Sequence, residues 1–90
     1  MNRIDELKKN LIDVMHEDDE KTWKIFDELL KEKNLEGQKE AEIRNLKTRA
    51  DELKKESKDA ARNEDFGTAM ALAKEANQKR TEALYAAYIA

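Results

Sequence analysis

His16 is the only histidine of the chain, and Asp13 stands three residues before it. On a helix that spacing puts a carboxylate and an imidazole on one face, the pair that carboxylate-rich metal bundles use in duplicate. Here there is no second copy, and no glutamate lies on an apolar face to complete a ligand shell, so no metal site is expected. The acidic run Glu17-Asp18-Asp19-Glu20 lacks the glycine and the ligand spacing of a calcium loop. Ser57, the only serine, has no base near it in the sequence and no strand-turn-helix elbow to present it. Its position on an apolar stripe predicts a small hydroxyl bonding back to a carbonyl one turn earlier. No catalytic residue, cofactor or metal ligand is assigned, and the chain reads as a non-enzyme.

The charged residues offer a second kind of chemistry. Arg44, Lys47, Lys55, Lys58 and Arg62 give one segment a basic flank that can meet phosphates. Acids at Glu40, Asp51 and Asp59 stand three or four positions from bases, however, which is the spacing of a salt-bridged, solvated helix surface. No interleaved aromatics offer a platform for bases, and the formal charge of the chain is -3. Residues 1–36 hold 7 basic and 11 acidic side chains, and residues 37–90 hold 11 and 10. Counterion release needs a concentrated basic surface, so a nucleic-acid-associated module is the alternative reading and not the first.

Ninety residues, 43% of them charged, limit the chain to one domain with one modest core. The lack of proline and the abundance of Ala, Glu, Lys, Leu and Arg belong to long helices. Without cysteine, disulfides and thiolate metal sites are excluded, and a cytoplasmic location is the expectation. The charged start Met1–Glu6 has no apolar run after it, so no secretory leader is expected, and no uncharged run is long enough to span a bilayer.

Three elements can position these side chains. Asn2 can cap a first helix whose face is Ile4, Leu7, Leu11, Val14 and Met15. The pattern lapses over residues 16–20 and resumes with Trp23, Ile25, Phe26, Leu29 and Leu30. With no glycine or proline there, a continuous or slightly kinked helix over about 2–34 is expected; a break near residue 18, capped by Asp18 or Asp19, is the alternative. Asn34-Leu35-Glu36-Gly37 marks the first turn-back. Helices over about 38–62 and 65–88 follow, joined at Asn63-Glu64 and striped by Ile43, Leu46, Ala50, Leu53, Ser57 and Ala60 against an alanine-rich partner.

Counting outward from the Asn63 turn pairs Ser57 with Met70, Leu53 with Ala73, Ala50 with Asn77 and Ile43 with Leu84. The sum is an all-α, up-down-up three-helix bundle. In it Trp23, Phe26 and Leu30 meet Tyr85, Tyr88, Ile43 and Leu46 at one end, while Leu11, Val14, Met15, Phe66 and Met70 fill the other. The end Ala83–Ala90 carries no charge and no evident cap. Trp23, Ile25, Tyr85, Tyr88 and Ile89 are therefore the candidate partner-binding residues of a non-catalytic interaction or assembly module. A helical protein is the expected partner, and a homodimer is the second arrangement.

Residues 53–75 resemble the UVR motif, a short helical hairpin of bacterial excision-repair subunits and of regulators of protein arginine kinases. Leu53, Ala60, Ala61, Asn63, Phe66, Ala69 and Leu72 match its usual line. Ser57 stands where methionine is usual, Ala73-Lys74 where arginine-aspartate is usual, and Gly67 replaces an acidic residue. The likeness covers about a quarter of the chain. It implies a hairpin that pairs with a helical partner.

Overall fold

The computed structural model describes residues 2–90 and is all-α. Among the described residues there are four helices: α1 (Arg3–Val14), α2 (Asp19–Lys33), α3 (Gly37–Arg62) and α4 (Phe66–Ile89). The expected first helix over 2–34 is thus two helices, and the expected three-helix bundle is instead a short hairpin, α1–α2, laid on one end of a long hairpin, α3–α4.

The break has a local and a tertiary cause. Asp18 is extended and its Oδ1 accepts from the Lys21 amide at 3.0 Å, the geometry of an N-cap. The fully buried Thr22 hydroxyl lies 2.7 Å from the Asp18 carbonyl oxygen and 3.2 Å from that of Val14, so it ties α2 to the last turn of α1. Folding back then buries Leu7 and Leu11 in one cluster with Phe26, Leu29, Leu30, Ile43, Ala83, Leu84 and Ala87. A straight helix would carry both leucines away from it. Two leucines at about 1.5–3 kcal/mol each outweigh the lost helical turn, which the sequence pattern alone could not register.

Helix α2 lies in the groove between α3 and α4, antiparallel to α3. Asp27 pairs with Arg44 at 2.8 Å near one end, and Asp19 pairs with both Lys54 (3.1 Å) and Arg80 (2.9 Å) at the other. Helix α1 flanks it, with Arg3 reaching Glu28 and the Lys8 ammonium 5.0 Å from the Tyr88 ring centroid. Asn34 ends α2 in the left-handed region (φ 51°), its amide donating to the carbonyls of Leu30 and Lys31.

The long hairpin closes on small residues. Ala50, Leu53 and half-buried Ser57 face Ala69, half-buried Leu72 and Ala76, a row whose lack of bulk lets α3 and α4 run closely side by side. The expected pairing through Met70, Ala73 and Asn77 is turned by about one residue: those three are exposed, and Ala69 and Ala76 take the seam. The Ser57 hydroxyl donates across the seam to the Ala69 carbonyl at 2.6 Å and not back along its own helix. The turn between the helices is a Schellman motif, with Asp65 donating to Ala60 and Glu64 to Ala61, and it holds Glu64 at φ 61°. Asp65 Oδ1 then caps α4 through the Thr68 amide.

Candidate functional site

The molecule measures 48 × 28 × 15 Å along its principal axes, and its apolar cluster sits at one end of the length. The stripe Phe66-Met70-Ala73-Asn77-Arg80-Leu84-Tyr88 explains why. At 100° per residue these positions share one face of α4. The α1–α2 hairpin covers the C-terminal half of that face, where Leu84 is buried and Tyr88 half-buried. It stops at Arg80. Beyond, Ala73 and Asn77 are exposed, and Phe66 and Met70 are 62% and 74% exposed. The expected end cluster of Leu11, Val14, Met15, Phe66 and Met70 does not form, because α1 folds back onto α2 instead of continuing along the hairpin.

A groove of about 570 Å³ opens where the covered half ends. Its end wall is the α1–α2 turn, Met15 to Asp19; its floor is Ala50, Lys54, Ser57 and Lys58 on α3 with Ala73, Ala76, Asn77 and Arg80 on α4. Arg80 ties the wall to α4. Its side chain is 18% exposed, donates to the Met15 carbonyl at the end of α1, pairs with Asp19 at the start of α2, and lies 6.0 Å from the Trp23 ring. The Lys54 hydrogen bond, helped by the Arg80 charge and opposed by partial burial, holds the Asp19 carboxyl below its ordinary pKa.

The five residues expected at a partner surface are separated. Trp23 is half-buried, edge-on to Phe26 at 5.1 Å, with the Lys47 ammonium 5.3 Å from its ring; it lies at the groove wall and not against Tyr85 and Tyr88. Ile25 is half-buried against the core cluster. Tyr88 is half-buried, whereas Tyr85 and Ile89 are 64% and 60% exposed on the face of α4 turned away from α3. The end of α4 does have a cap: the Lys33 ammonium donates to the carbonyls of Tyr88 (2.9 Å) and Ala90 (3.1 Å), and its burial there lowers its pKa.

The basic flank has structural employment. Arg44 pairs with Asp27 and Glu40, Lys47 with Asp51 and the Trp23 ring, and Arg62 with Asp59. Lys55 and Lys58 make no ion pair among the described residues. The alignment of Arg44, Lys47 and Lys54 with α2 is what the sequence could not reveal, since it depends on where α2 lies. Among the described residues no three His, Asp or Glu side chains gather as a metal site, and no helix is long and apolar enough to cross a membrane. Comparison of the chain with family models, curated proteins and solved structures finds no match.

Proposed function

We propose that this chain is a non-catalytic docking module that binds another protein through helix packing. One observation carries the reading: the α3–α4 hairpin is covered over half its length only, and the bare half presents Phe66 and Met70 at 62% and 74% exposure. Large apolar side chains left in water on an otherwise highly charged surface lose free energy that a partner's apolar face would recover. The bare half coincides with residues 53–75, the stretch that resembles the UVR hairpin, and the pairing role that likeness implies supports the same reading. Tyr85 and Ile89 form a second exposed apolar pair on another face of α4. A regulator, scaffold or tether working in the cytoplasm would act in this way.

The test is a photo-crosslinking amino acid placed at position 70 and, in a separate chain, at position 85, irradiated in an extract of the source cells. Discrete adducts from position 70 support docking on the bare hairpin. Adducts only from position 85 move the surface to Tyr85 and Ile89, and none from either position overturns the reading.

A further inference from the structure

Helix α2 is the third helix of the α3–α4 groove, but it fills only part of it. From Asp19 the groove runs on for about 12 Å along α3, to Arg62, and about 21 Å along α4, to Phe66, at 1.5 Å per residue. On the proposed docking reading, we infer that the groove beyond Asp19 takes one amphipathic helix of another protein, about 8–14 residues long, running in the same direction as α2 with lysine or arginine in its last turn. Such a helix abuts the N-terminus of α2 and completes a three-helix layer over the whole hairpin.

Its chemistry follows from what grips α2. Arg44, Lys47, Lys54 and Lys58 recur at helical spacing along the α3 edge of the groove. Arg44 holds Asp27, Lys47 lies over Trp23, and Lys54 holds Asp19. Lys58 is the next in the row, lines the groove and has no ion pair among the described residues. An occupant that continues α2 therefore carries an acidic residue against Lys58. On the α4 side its apolar stripe meets Ala73, Met70 and Phe66, with Asn77 nearer the wall.

Direction is set at the wall. Glu17 and Asp18 face the groove there, Glu20 follows in the first turn of α2, and of these four acids only Asp19 has an ion pair among the described residues. The wall is also the N-terminus of α2, where backbone amides point outward with partial positive charge. Basic side chains suit the acids, and a helix C-terminus suits both the basic side chains and the amides of α2. Reversing the helix would set two N-termini against each other.

Two capped 14-residue helical peptides test this, each with one leucine stripe and a central glutamate, one ending in two lysines and the other in two glutamates. They are titrated into the full chain while the emission of Trp23, the only tryptophan, and the amide shifts of Met70, Ala73, Asn77, Tyr85 and Ile89 are followed. The lysine-ended peptide is expected to bind about tenfold more tightly, from its ion pairs and the dipole match together. Met70→Glu should abolish binding without loss of helicity, and Glu17→Lys with Glu20→Lys should reverse the preference. Equal affinities, or no groove shift at millimolar peptide, overturn the inference. Shifts confined to Tyr85 and Ile89 overturn it while leaving the docking reading intact. Groove shifts on concentrating the chain alone name a second copy as occupant and overturn it as well.

Discussion

The Arg80 guanidinium lies 2.9 Å from the Asp19 carboxylate and donates to the carbonyl of Met15, so one side chain from α4 holds both the last turn of α1 and the first turn of α2. The bend between those helices is thereby tied to the long hairpin. Arg80→Met keeps much of the aliphatic stem and removes the charged donors. It should destabilise the fold by about 1.5–3 kcal/mol, the range for hydrogen bonds to charged groups. A urea titration measures the loss. Hydrogen exchange should show α1 amides opening first, and uniform acceleration through all four helices would contradict a localised tether.

The same pair carries a pH dependence. The folded-state pKa of Asp19 lies below its ordinary value, because of the Lys54 hydrogen bond first and the Arg80 charge next, against partial burial. Asp27 is lowered likewise, by Lys31 first and Arg44 as well. A lowered carboxylate pKa adds stability that is fully present above the unfolded-state value and is lost as pH falls through the folded-state value. Urea midpoints should therefore be flat near neutrality and decline below the ordinary carboxylate range. Asp19→Asn should make that acid decline shallower; an unchanged decline would remove Asp19 from the explanation.

Asp18 begins α2 with one side-chain hydrogen bond, to the Lys21 amide. Asp18→Ala should cost about 0.5–2 kcal/mol, the usual loss for an N-cap. Because the rest of the wall is held by Thr22 and Arg80, the bend should survive, as unchanged proximity of Arg3 to Glu28 by paired spin labels would report.

Glu64 occupies the left-handed region at φ 61°, in the position of a Schellman turn that glycine usually fills. A side chain there is strained by about 1–2 kcal/mol. Glycine removes the strain and adds unfolded-state freedom that offsets part of the gain, so Glu64→Gly should stabilise the hairpin by about 0.5–1 kcal/mol in a thermal melt. A lower melting temperature would mean that the Glu64 side chain has a favourable role that outweighs the strain.

Ser57 bonds across the α3–α4 seam, where its hydroxyl reaches the Ala69 carbonyl at 2.6 Å. Ser57→Ala should lose about 1 kcal/mol in urea. Leucine at the same position should cost more, about 1–3 kcal/mol, because the hairpin would have to part to admit it.

The all-helical class was legible because it rests on local terms: no proline, many good helix formers, and apolar residues at helical spacing. Asn34 and Asn63–Asp65 carry turns in the structure for equally local reasons, a residue tolerant of the left-handed region and a short cap. Whether residues 16–20 bend was not legible, because both outcomes satisfy the local rules and contacts far along the chain separate them, the burial of Leu7 and Leu11 with Leu29, Leu30 and Leu84 together with the Arg80 tie to Met15 and Asp19. The seam register was displaced for a similar reason. Stripe counting treats Met70 and Ala69 as near equals, while close helix approach admits only the smaller. From that bend the bare surface follows: α2 begins only at Asp19, and Phe66 and Met70 stay uncovered. The sequence by itself determined which residues coil into helices; the tertiary structure alone decided which helix faces go uncovered, since exposure is a property of neighbours far along the chain.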